Sequence, residues 1–454
     1  MEQEDEPGVP GKEQEGSSRA AKIVTIVMAV LCAIVGISVM VFYFFLDVRL
    51  TDRARCEEIL RVTMKRLQNE DNIPADKNGY YDFAPFCEKN APEKLKEPYL
   101  SLSKVCEGIP RDIGKSLGKK REKTEKALKD FSQVLPGIEK TLEKPSFIIP
   151  SRGDYGLNGP VSNYLALRAL AQSLATYGLY QEMQKNPETA VKCYILDIQF
   201  GAKLAMSGNL ITQMISVAIQ AIGDVPLHCL LAGGGMKSSC YKDIIARLES
   251  LPAADGNFLD AMDEEYTRTI NNFDYWMTGQ TARAQQFPVN IRPEKLKIII
   301  LREKKLYMNL SIKYRPCFET LSMPADLGLN LTADLAALQK KGAILCSIYY
   351  PNVTRALAHK KFILTRISAL KILAALQAYK SDRGSYPPRL EDLCPGYLKE
   401  VPRDYMSKEG TFLYSLKDKS FTLASQSYIY REITTNRLTD VFSYFPPDKN
   451  VFMQ

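Results

Sequence analysis

Hydrophobic positions recur with helical spacing over most of the chain. Residues 161–178 carry Tyr164, Leu165, Leu167, Leu170, Leu174 and Tyr177 on one stripe. Asn186 and Pro187 then read as the N-cap and first position of a second helix, through Val191, Tyr194, Ile195, Ile198 and Leu204 to Gly208. Further helices are expected over 210–231, with a soft spot at Gly223 and Pro226, over 241–251 and over 257–278. Upstream, 51–68, 92–105 and 115–134 read as helices, 71–86 as a loop, and Pro136, Pro145 and Pro150 as a boundary. Downstream, 335–349 and 360–381 are helical, the latter with Ile363, Ile367, Leu370, Leu373 and Leu376 on one side. The period then changes. Phe412-Leu413-Tyr414 and Phe421-Thr422-Leu423 flank the polar turn Lys417-Asp418-Lys419, a β-hairpin pattern, and Tyr428 and Tyr430 can extend the sheet.

One segment departs from amphipathicity altogether. Residues 23–46 hold 24 positions without a charge. A helix of that length spans about 36 Å, enough for a hydrocarbon core of roughly 30 Å. It is too long for a signal-peptide core and is followed by Asp47-Val48-Arg49, so an uncleaved single-pass anchor is expected. The short acidic tail and the large following region favour the tail inside and the C-terminus outside. Ala29/Ala33 and Cys32/Gly36 form small-xxx-small pairs, a spacing that chance supplies readily in an apolar run.

Composition adds exclusions. Of 454 residues, 45% are hydrophobic and 25% charged, which rules out a disordered chain. Two histidines, His228 and His359, exclude a His-rich metal centre. The ten cysteines contain no C-x-x-C. Outside Cys32 they are expected as buried free thiols, with Cys229–Cys240 and Cys87–Cys106 as the alternative pairings. The charged run 119–130 mixes signs at i, i+4 spacing and reads as a solvated helix face rather than a nucleic-acid surface.

The expected architecture is therefore mainly α, with an α+β C-terminal unit. Its parts are a disordered acidic tail (1–22), the transmembrane helix (23–46) and a membrane-proximal helical region (47–150). A helical repeat-like domain (151–285), connecting helices (286–350) and a helix-plus-small-sheet unit (351–454) follow.

Two stretches resemble known families. Residues 164–206, centred on NPETAVKCY with Ala190 at the helix contact, look like a degenerate tetratricopeptide-type hairpin. Residues 360–424 resemble the soluble part of type II secretion pseudopilins. Ala375, Leu376, Tyr379, Lys380, Asp382, Gly384, Tyr386 and Pro387 match the phrase that ends the long pilin helix, and Val401, Pro402 and Asp404 match the turn after the loop. The resemblance implies a helix carrying a small antiparallel sheet. The peptidase-cleaved leader and the calcium loop of that family are lacking, so neither fibre processing nor calcium is implied. Bacterial envelope proteins combine an anchor, a helical middle and such a tail. The likeness implies a protein of the bacterial inner membrane with an extracytoplasmic C-terminal region and protein partners.

Candidate chemistry is sparse. Gly114-Lys115-Ser116-Leu117-Gly118 matches G-x-S-x-G without the preceding strand, and Gly108 stands one residue out of register for a phosphate-binding loop. His228 and Cys229 are adjacent and point apart on a helix. Glu264 and Glu265 read as solvated-face acids. Asn309, Asn330 and Asn352 begin sequons that matter only in a eukaryotic secretory pathway. No catalytic, cofactor-binding or metal residue is assigned, and no cofactor, nucleotide or nucleic acid is expected. Two functions remain: an envelope interaction or scaffold protein, or an envelope enzyme whose site is not visible in sequence. A role as accessory to a pilus or secretion-like assembly is a variant of the first.

Overall fold

The computed structural model describes residues 50–87, 93–106, 113–150, 164–206, 208–252, 254–277, 293–340, 342–343, 346, 350, 352–417, 420–425 and 451–453. The anchor segment 23–46, the acidic tail and Tyr428/Tyr430 lie outside the described residues. Contacts divide the chain into residues 1–55 and a compact unit of residues 56–454.

The chain is mainly helical. The helices are α1 (Leu50–Asp71), α2 (Tyr80–Cys87), α3 (Glu93–Val105), α4 (Ile113–Lys119), α5 (Arg121–Glu143), α6 (Tyr164–Met183) and α7 (Pro187–Leu204). Then come α8 (Leu210–Gly233), α9 (Ser238–Glu249), α10 (Ala254–Met277), α11 (Pro293–Glu319), α12 (Leu331–Lys340) and α13 (Asn352–Arg383). Strands β1 (Phe412–Lys417), β2 (Ser420–Ser425) and β3 (Val451–Met453) form an antiparallel sheet in the order β1-β2-β3.

The central element is α13. It begins eight residues before the expected start, because Val353, Ala356 and Leu357 add an apolar stripe ahead of Lys360. Its first half packs with α10 and α11 through Tyr307, Tyr314 and Phe318. From Ile363 onward its stripe of Ile363, Ile367, Leu370, Leu373 and Leu376 shares one core with α7, α8, α9 and the sheet residues Phe412, Phe421 and Leu423. The helix ends where Gly384 takes φ +80°, a left-handed cap that only glycine adopts without steric cost. Tyr386 then turns back, edge-on to Phe421 with ring centroids 4.7 Å apart.

A third core joins α2 to α5 with α6, α7 and α8 through Phe83, Phe131, Phe147 and Phe200. Helices α6 and α7 form the hairpin expected from the Asn-Pro turn, with Ala190 fully buried. α8 packs on α7 in turn.

Four expectations about elements are corrected. Residues 80–87 are helical, not loop. Asn78 Oδ1 accepts from Tyr80 N at 3.1 Å and Ile148 N at 2.9 Å, and Phe83 is buried beside Phe147 and Phe200. Pro136 does not end α5, which continues to Glu143. The buried row Phe131, Leu135, Ile138 and Leu142 continues past it, and that packing outweighs the lost backbone hydrogen bond. Gly223 and Pro226 do not soften α8, which runs unbroken to Gly233. A Cβ at Gly223 would lie 2.5 Å from Tyr194 O and 2.6 Å from Asp197 Cβ, so the glycine is a point of close approach between α8 and α7. Helix α12 is displaced to Leu331–Lys340, since Asn330 Oδ1 accepts from Ala333 N at 3.0 Å and starts the helix early.

α8 and residues 353–383 of α13 are long and apolar enough to cross a membrane by length and composition. That property is compatible with membrane association. In residues 56–454 both are core helices, joined by an ion pair between Arg366 and Asp224 at 2.7 Å.

Candidate functional site

The residues singled out from sequence do not come together. Ser116 lies inside α4 and donates to Val105 O at 3.4 Å. His228 is half-buried on α8 and Cys229 beside it is exposed. Cys229 and Cys240 are free thiols, as are the buried Cys193, Cys317 and Cys346. Glu264 is corrected: it is buried at 2% exposure and paired with Arg268 at 2.8 Å. The reason is that α10 packs on both sides, leaving little of its surface to water. Among the described residues no group of three or more His, Cys, Asp and Glu side chains is placed to hold a metal.

Two polar constellations emerge that the sequence did not mark. The first is internal. Asp197 on α7 is fully buried, and neither carboxylate oxygen has a hydrogen-bond partner among the described residues. Burial pushes its carboxyl well above the usual carboxylate range. Asp224, one turn of α8 beyond Gln220 and next to Gly223, is ionically paired to Arg366.

The second is a cleft of about 360 Å³ between the end of α11, the 3-10 turn Pro324–Leu327, α13 and the loop 401–410. Asp404 builds its wall. The carboxylate is fully buried and accepts from Thr365 Oγ1 at 3.0 Å, Met406 N at 2.9 Å and Ser425 Oγ at 2.6 Å. Its backbone N–H donates to Gly410 O at 2.8 Å. One side chain thus ties the loop to α13, to β2 and to itself. The loop presents Arg403, Tyr405, Ser407 and Lys408 to the cleft. Opposite, α13 presents Lys361, one turn before Thr365 and 5% exposed. Glu319 Oε1 accepts from Arg315 Nε at 2.8 Å, and Asp326 Oδ2 accepts from Met323 N at 3.0 Å.

Sequence reasoning quoted Asp404 only as a turn residue and passed over Lys361, Arg403 and Lys408. Their separation along the chain hides the convergence. The one legible signal was the helical offset of Lys361 from the apolar stripe that starts at Ile363.

No family model matches the chain, and no curated protein or solved structure matches it either.

Proposed function

We propose that the protein is an interaction and scaffold protein of a bacterial envelope, anchored by residues 23–46 as a single-pass helix with its C-terminal region outside the cytoplasm. The observation that carries the reading is the edge of the small sheet. In the order β1-β2-β3, β1 has a neighbour on one side only among the described residues, and Leu413 and Leu416 on it are exposed. An unpaired edge with apolar side chains is a template for an extended strand of a partner. The helix-plus-sheet unit matches in outline what the pseudopilin resemblance implies, which supports a partner among pilus or secretion-like assemblies by analogy. The partner expected is an envelope protein that pairs an extended segment with β1.

The test is photocrosslinking from position 415, on the same strand, in the native envelope. Recovery of a discrete partner, lost in a Leu413→Lys/Leu416→Lys variant of unchanged thermal stability, supports the reading. An unchanged crosslinking pattern in that variant overturns it. A reporter fused after Gln454 that works only in the cytoplasm overturns the orientation.

An envelope enzyme is the second reading, favoured by the convergence of Lys361, Arg403 and Tyr405 on one cleft.

A further inference from the structure

We propose that the N-terminal half of α11 docks on the surface of an anionic phospholipid bilayer through the face that carries Ile298 and Leu301. Helical spacing divides the helix sharply there. Ile300 and Tyr307 are buried in the core shared with α10 and α13. Ile298 and Leu301 lie on the other side, 67% and 52% exposed, and Ile299 beside them is exposed as well. Scattered exposed aliphatics are ordinary on a protein surface, but three within one turn of a helix form a contiguous apolar patch.

Charge indicates what covers the patch. Lys297 and Arg302 flank it and are exposed. The acid that follows, Glu303, is turned inward at 2% exposure, and its Oε2 accepts from Cys346 N at 3.1 Å. On the neighbouring α10, Asp274 accepts from Lys304 Nζ at 2.5 Å, and Tyr275 next to it is exposed. Aliphatic side chains with cations beside them suit the interface of a bilayer. The aliphatics enter the acyl boundary, and the long basic side chains reach back to the lipid phosphates. Chain length keeps such a surface within reach. Cys56, which shares the core with Ile300, lies ten positions after Leu46, the end of the uncharged run. At no more than about 3.6 Å per residue, that link reaches about 36 Å at most. The nearness of the bilayer rests on the reading of residues 23–46 as an anchor; the character of the face does not.

The experiment places an environment-sensitive fluorescent amino acid at position 298 of the full-length chain, reconstituted in vesicles of phosphatidylcholine alone or mixed with phosphatidylglycerol. A nitroxide on the lipid acyl chain, close to the head group, serves as quencher, and carbonate extraction of the same vesicles reports on the anchor. Quenching is expected to be about two-fold or more stronger in the mixed vesicles, and to fall by about half or more in Lys297→Gln/Arg302→Gln. Both positions are exposed, so that variant should unfold at the wild-type temperature. Absence of quenching overturns the proposal, whether or not the chain resists extraction. So does equal quenching in the two kinds of vesicle, or wild-type quenching retained in the double variant. Blue-shifted emission without quenching assigns the face to a protein neighbour, a second copy of this chain included, and overturns it likewise. Strong quenching in a chain that carbonate extracts supports the docking face and overturns the anchor instead.

Discussion

Thr365 Oγ1 on α13 donates to Asp404 Oδ1 across 3.0 Å, and both residues are buried. The bond connects the longest helix of the core to a loop that has no regular structure of its own. Because the same carboxylate also takes Met406 N and Ser425 Oγ, the loop is positioned by a single residue. Its identity decides where Arg403 and Lys408 stand.

Asp404→Ala should therefore cost about 3 kcal/mol, since it strands three buried donors at once. Hydrogen exchange should rise across 403–410 more than across α13. Equal protection of that loop in variant and wild type would show that Asp404 does not hold it.

Leu370 is 1% exposed and lies in the core shared by α13, the sheet and α7 to α9. Leu370→Asp would bury an unpaired charge there, with a penalty of several kcal/mol. Because α13 serves two cores, the expectation is loss of cooperative unfolding, with new protease cuts near Gly384 and Gly410. Wild-type protease resistance in the variant would remove Leu370 from the core.

Gly223→Ala inserts a methyl group where α8 and α7 touch. With Tyr194 O and Asp197 Cβ both within 3 Å of the new atom, the helices must separate. A loss of about 2 kcal/mol is expected from the resulting overpacking. Urea denaturation measures it, and a neutral result would mean that the two helices lie further apart.

Glu70 supplies a pH dependence. Burial raises its carboxyl to about 7, outweighing Arg66 at 3.0 Å, with Glu264 and Asp260 adding repulsion. The folded state thus binds this proton more tightly than the unfolded state, whose value is near 4.5. Stability from this group is fully present below pH 4.5 and is lost as pH rises through 7, an effect of about 3 kcal/mol. Asp197, raised by burial, acts in the same direction. Glu70→Gln should gain stability relative to wild type at pH 8 and little at pH 5, read from denaturant midpoints. Parallel pH curves for the two proteins would contradict this.

Much of the architecture was legible locally. The 3.6-residue period marked α6, α7, α9 and α10 within a few residues and the body of α13, Asn186-Pro187 marked the start of α7, and Gly384 marked the end of α13. The alternation around Phe412 and Phe421 marked the hairpin. These are near-neighbour properties, set by backbone propensity and by which side of an element is apolar.

Tertiary packing alone decided the rest. It kept α5 helical across Pro136 and α8 across Gly223 and Pro226, because apolar contacts on both sides of those residues outweigh a missing hydrogen bond. It buried Glu264, whose charge had read as solvated surface, and with it Asp197 and Lys361. It also gathered Lys361, Arg403 and Lys408 around one cleft. Burial and convergence depend on residues distant in sequence that meet only when α13 and its neighbours close, and no local pattern in one chain records that meeting.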